Sequence, residues 1–376
     1  MSLSPAIPDS SAPPAHHPLA DLYEFHWSQF SLRLPLISGF AVALCLFIGV
    51  ALGHPGGALI AGGGAFTIGF GANQRIHDSR VLPMLLGVFA TSTATLAGTL
   101  VGHNGFAIVL ASTASAAIYG VLTIRAAEVS WVGQQASVAL FVASAFPLPA
   151  RGALVRAGLI LAGGLVQTLF TTVGMRMLPE LRRELTAFPR SVVQSIGRPL
   201  LGSIEELSLA SAAQDRRATL IYATRMMLTV FLATELYRHV GLQSGYWIPM
   251  TALLVQKPAF SETLTRALLR VLGTLAGATL ATLLVTHLPG SPPVMNWTLA
   301  ALTSLFALLS FATNPINYGL FALFITSYIV FLLSLNQIPG PEIAHRRALC
   351  TIAGAFIALV IHLDALRCYR KDSGCT

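Results

Sequence analysis

The sequence predicts an all-α polytopic membrane protein of about twelve transmembrane helices, built as two parallel six-helix repeats. Three observations carry this. Of 376 residues, 54% are hydrophobic and 10% charged, against about 25% charged in a soluble domain. The mean hydropathy is +0.70. Segments without Asp, Glu, Lys or Arg run over 34–74, 81–124 and 271–341, and each exceeds the roughly 20 residues that a helix needs to cross a bilayer. These continuous apolar blocks exclude a soluble enzyme, a disordered chain and a disulfide scaffold. They also exclude an outer-membrane barrel, whose strands alternate.

Residues 1–32 hold no Lys or Arg, so the basic region of a signal peptide is missing. They read as a loose tail, with a short interfacial helix over Asp21–Phe30 anchored by Tyr23, Phe25 and Trp27. The first unit, 33–176, should place spans near 35–53, 55–72, 81–101, 105–124, 129–147 and 152–175. A polar linker, 177–218, carries Pro179, Pro189 and Pro199. The second unit, 219–367, should place spans near 219–238, 245–257, 264–287, 295–313, 316–335 and 343–366, before a tail over 368–376. The halves echo each other. Arg80 and Gly87 recur 186 residues later as Arg266 and Gly273. Arg156, Ala162 and Gly163 recur 191 residues later as Arg347, Ala353 and Gly354. Six helices per unit give both units the same orientation.

Basic residues set the orientation. With both termini and 177–218 in the cytoplasm, 18 of the 23 Lys and Arg fall inside. The net charge of +8 follows from that asymmetry, so it does not indicate a nucleic-acid partner. The partner is the lipid bilayer.

Two spans are unusual. Span 55–72 starts at Pro55 and holds Gly56, Gly57, Gly62, Gly63, Gly64, Gly69 and Gly71. Span 245–257 contains Pro249 and reaches only about 18–20 Å of a core about 30 Å thick. Interrupted segments at matching places point to a substrate site, because broken helix ends expose N–H groups to anions. Gly63 and Pro249 are therefore expected on facing inner walls near the midplane. Glycine for close packing and a harmless proline kink are the plainer reading.

Arg156, Arg270, Arg346 and Arg347 lie within spans, and intramembrane charges usually line a pathway. Snorkelling to headgroups is the alternative. Glu262, Arg266 and Arg270 share one helix face, with Glu262 and Arg266 at ion-pair spacing, which leaves Arg270 for an anionic solute. Glu235 and Asp364 are the candidates for proton coupling, although Arg238, His239 and Arg367 nearby suggest interfacial pairs. Gly273 and Gly277 form GxxxG, a helix-packing motif. Cys45, Cys350, Cys368 and Cys375 lack metal-ligand spacing. No catalytic or nucleotide-binding motif occurs. The expectation is a non-enzyme with no cofactor.

Tyr246-Trp247-Ile248-Pro249-Met250-Thr251, then Lys257-Pro258, Glu262-Thr263, Arg266, Arg270, Leu272-Gly273-Thr274 and Gly277, resemble the signature of the fusaric acid resistance family, which includes bacterial aromatic acid exporters. The resemblance implies an inner-membrane efflux permease for weak organic acids. It also implies a relation to plant aluminium-activated malate channels, which are anion-conducting dimers, and hence a homodimer. Some members work with a periplasmic adaptor protein. Longer members carry a large cytoplasmic domain where this chain has only 177–218, which counts against the adaptor here. The first half lacks the Tyr-Trp and Lys-Pro features.

On this reading Arg270, Arg266 and Lys257 supply positive charge, with Arg156 and Arg347 as further candidates. Tyr246 and Trp247 stack on an aromatic ring or gate the path, and Pro249 and Thr251 shape the short helix. The proton gradient drives export. A passive anion channel, a membrane enzyme acting on lipid-linked substrates and a non-transporting envelope scaffold are the rivals.

Overall fold

The computed structural model describes residues 23–76, 79–177, 213–242, 244–288, 292–336 and 338–372. Most of the 177–218 linker and the end of the C-terminal tail lie outside the described residues. Among those described are twelve α-helices: α1 Arg33–Ala51, α2 Pro55–Gly69, α3 Val81–Val101, α4 Gly105–Arg125, α5 Ala127–Ser144, α6 Ala150–Met177, α7 Ala213–Val240, α8 Trp247–Val255, α9 Phe260–Thr286, α10 Pro292–Thr313, α11 Tyr318–Ser334 and α12 Gly340–Asp372. Eight are long and apolar enough to cross a membrane. The chain is an all-α polytopic membrane protein, and exposed Phe106, Leu110, Ile118, Leu169 and Phe356 form the apolar exterior that lipid requires.

The two halves pack alike. In the first unit α2 lies on α1 and α6, α3 on α5 and α6, and α4 on α5. In the second, α8 lies on α7 and α12, α9 on α11 and α12, and α10 on α11. The units meet through α4 against α7 and α1 against α10, again a matched pair. The sequence echoes are packing contacts. A Cβ on Gly163 would strike the Ala61 carbonyl oxygen, and one on Gly354 would strike the Ile248 carbonyl oxygen. These two glycines let α6 cross α2 and α12 cross α8 backbone to backbone. Gly273 and Gly277 press in the same way on Gly319 and Leu323 of α11, and Ser327 donates to the Gly277 carbonyl at 2.9 Å.

Three expectations change. The glycine-rich span is not broken: α2 runs unbroken to Gly69 and ends in a 3-10 turn over Phe70–Asn73. Gly62 and Gly64 admit Leu46 and the backbone of Ile160, so close approach explains them. Pro249 does not interrupt α8, because it lies in the first turn, where its missing N–H has no helical partner to lose. The shortness of α8 comes from its ends. Ser244, at φ 63°, turns the chain just before it, and Gln256 is extended after it ahead of Pro258, which disfavours helix at the preceding residue. Finally, the expected helix over Asp21–Phe30 starts outside the described residues, and its described part forms a 3-10 turn, Trp27–Gln29. It is tethered to the α10–α11 turn by His26 N to the Ile316 carbonyl at 3.1 Å and by Asn317 Nδ2 to the Glu24 carbonyl at 3.1 Å.

Candidate functional site

A cavity of about 980 Å³ lies between the units. Its walls are the equivalent helices of each half: α2, α3 and α5 with parts of α4 and α6, and α8, α9 and α11. Each contributes one stripe at helical spacing, such as Trp247, Met250 and Leu254 on α8 and Phe321, Ile325, Tyr328 and Leu332 on α11. The lining runs from Lys257 and the α10–α11 turn at one end to Phe146, Asn336 and Ile338 at the other.

Its charge is lopsided. Arg156, Lys257, Arg266 and Arg270 line it, against the single carboxylate of Glu24. Arg266 and Arg270 are one turn apart on α9, so both reach the same wall. The expected Glu262–Arg266 ion pair does not form. Instead the Arg266 guanidinium stacks 4.9 Å from the Tyr318 ring centre. Arg270 is 2% exposed, and no hydrogen bond or ion pair holds it among the described residues. Lys257 lies in the α8–α9 turn, where its N–H donates to Thr263 Oγ1 at 3.0 Å. Burial, with the nearby Arg266 charge, pushes its ammonium down to about 8, while Glu262 acts the other way.

Aromatic rings link the halves. Arg156 lies over Phe146 at 5.9 Å and donates to Thr99 Oγ1 at 3.3 Å and to the Phe146 carbonyl. Phe146 meets Tyr246 edge-on at 5.8 Å, and Tyr246 meets Trp247 at 4.8 Å. The Arg347 guanidinium covers the Trp247 ring at 4.0 Å. Arg156 and Arg347, equivalent in the repeat, thus cap the two ends of one aromatic chain.

The structure brings Gly63, Arg156, Tyr246, Trp247, Lys257, Arg266 and Arg270 to one cavity. Gly63 has open space where a Cβ would stand. Pro249 and Thr251 do not line the cavity, because α8 turns their face inward, with Thr251 packed on Gly354. Arg347 lies behind Trp247 and not on the cavity surface. Glu235 is away from the cavity, paired with Arg238 at 3.0 Å and His239 at 3.3 Å. The Asp364 side chain lies outside the described residues. Sequence reasoning passed over Thr91, Thr95, Gln134 and Gln135, which also line the cavity. Their signal was polar side chains inside apolar spans.

Residues 228–361 match the family model described as fusaric acid resistance protein-like. The chain is 31% identical over 137 residues to protein ORF2 of Neisseria gonorrhoeae, covering 36% of this chain and 32% of that one. It is 30% identical over 138 residues to the inner membrane protein YccS of Escherichia coli K12, covering 36% and 18%. It is 29% identical over 148 residues to protein slr1298 of Synechocystis, covering 39% and 19%. The chain therefore spans a third or less of these relatives' lengths. No solved structure matches it. The matched stretch contains Tyr246, Trp247, Lys257, Arg266, Arg270 and Arg347 and excludes Gly63 and Arg156. The second six-helix unit, over residues 228–361, is thus similar to the fusaric acid resistance protein-like family.

Proposed function

We propose that this protein is an inner-membrane transporter that exports small organic anions, aromatic carboxylates foremost, driven by the proton gradient. The observation that carries the reading is the cavity between the units, with four cationic side chains against one carboxylate. A cation inside a membrane protein attracts a solute of opposite sign where the cavity focuses its field. Arg270 meets the carboxylate, and its planar fork suits two oxygens. Tyr246 and Trp247, which line the cavity, take the ring. Arg266 and Lys257 attract the anion at the cavity end that they share with the α10–α11 turn. The location agrees with the inner-membrane relative from Escherichia coli.

Purified protein in proteoliposomes loaded with a panel of aromatic and aliphatic acids tests this. Efflux of aromatic carboxylates should rise with an imposed pH gradient. Arg270→Ala should weaken it by about 10- to 100-fold, the loss of one charge-assisted hydrogen bond of about 1.5–3 kcal/mol, while Arg270→Lys retains part. A folded Arg270→Ala protein with undiminished efflux ends the reading. A cavity lining that reaches both ends also favours a passive anion channel. Currents that follow the anion gradient and ignore the pH gradient would select that mechanism.

A further inference from the structure

Behind Arg270, the interior of the second unit holds an arginine that the transport reading does not use. Arg347 on α12 is 1% exposed. Its Nε donates to Thr326 Oγ1 at 3.4 Å, and its plane covers Trp247. Its Nη1 and Nη2 have no acceptor among the described residues. The Nε of Arg270, on neighbouring α9, has none either, nor does Thr274 Oγ1 one turn further along that helix. Helices α9 and α12, which carry the two arginines, pack on each other, and the Arg270 charge acts against that of Arg347. The other ionisable groups that act on Arg347 are Tyr246, Cys350 and Tyr318, and none is a carboxylate.

A buried charge is costly unless it is paired, and a guanidinium does not escape by losing its proton. Two of them side by side add mutual repulsion. Cation–π contact with Trp247 offsets part of the cost for Arg347 but satisfies no N–H. What is missing is a small anion. We propose that a halide resides between Arg270 and Arg347, accepting the unpaired guanidinium N–H groups behind the Trp247 ring. A small inorganic ion fits better than an organic acid. Arg347 is shut off from the cavity by Trp247, and α11 closes the site through Thr326, so an aromatic ring has no way in. This ion is a resident one, separate from the transported solute. It fixes the Arg270 side chain whatever the cavity carries.

The test uses the full chain, purified in detergent in gluconate, with chloride or bromide exchanged in at constant ionic strength. The thermal midpoint should rise and saturate, by a few degrees at about ten times the dissociation constant. Arg347→Gln should abolish the shift, and Arg347→Lys should reduce it. Bromide should also quench part of the tryptophan fluorescence saturably, and Trp247→Phe, which leaves Trp27, Trp131 and Trp297, should remove that part. This second readout decides the matter if Arg347→Gln does not fold. The proposal is overturned if halide leaves the midpoint unchanged, if the shift persists in Arg347→Gln, or if quenching is linear and survives in Trp247→Phe. Benzoate or acetate stabilising the protein where halides do not would overturn it too, and would assign the site to the organic substrate. Halide binding with no organic-anion efflux would leave this site standing and end the transport reading alone.

Discussion

Lys257 shows how a single residue couples the cavity to pH. Its ammonium titrates near 8, below the ordinary lysine range, because burial and the Arg266 charge disfavour the protonated form. The group is therefore cationic below that pH and neutral above it. Anion affinity at this end of the cavity should fall as pH on that face rises through about 8. In Lys257→Arg the fall should vanish, since a guanidinium keeps its charge. Efflux measured at fixed gradient over pH 6–9 distinguishes the two; identical profiles would remove Lys257 from the anion path. The residue scale was also where sequence reasoning reached least far. Arg266 and Arg270 were legible from helical spacing. That Arg347 lies behind Trp247, and Pro249 on the buried face of α8, was not. Both facts depend on how α8 rotates against α12, which spacing within either helix does not specify.

At the scale of elements the sequence was a good guide to where helices lie and a poorer one to why glycines occur. Apolar runs between charged or turn residues delimit most of α1 to α12 to within a few residues, because bilayer thickness sets the length of most of them, but α7 begins at Ala213, inside the expected linker, and α12 runs on to Asp372, inside the expected tail. The glycine cluster of α2 suggested a break and proved to be a packing surface. Sequence cannot separate these uses, since a glycine lost from a helix and a glycine crossed by a neighbour look alike. The structure separates them by position. Gly163→Ala should push α6 off the Ala61 backbone and lower the thermal midpoint in detergent, with a cost of about 1–3 kcal/mol for an overpacked contact. Gly354→Ala should do the same at α8. Gly63→Ala meets open space and should leave stability unchanged or raise it by up to about 1 kcal/mol through helix propensity. A destabilising Gly63→Ala would mean that α2 packs differently along the cavity.

The whole molecule repeats its architecture but not its chemistry. Helix contacts match unit for unit, and the echoes around Gly87 and Gly163 signalled this in the sequence. The counterpart of Arg270 in the first unit, at the same 186-residue offset, is Met84. The counterpart of Arg266 is Arg80, which donates to the Ala72 carbonyl at 2.8 Å. Three of the four cavity cations, Lys257, Arg266 and Arg270, consequently lie on the second unit's wall, and the facing wall offers Thr91, Thr95, Gln134 and Gln135, with Arg156 its one cation. On the proposed transport reading, such a cavity holds its anion off-centre, against α9. Which face of the membrane that anion leaves by depends on orientation. Lys257, Arg266 and the N-terminal segment share the end of the cavity that the distribution of 18 of 23 basic residues assigns to the cytoplasm. Ser203→Cys should then resist a membrane-impermeant thiol reagent applied to intact spheroplasts, and Ser291→Cys should react with it, each in a background lacking the native cysteines. Labelling of Ser203→Cys from outside would invert the protein. The cationic collecting end would then face the periplasm, and the same cavity would favour uptake over export.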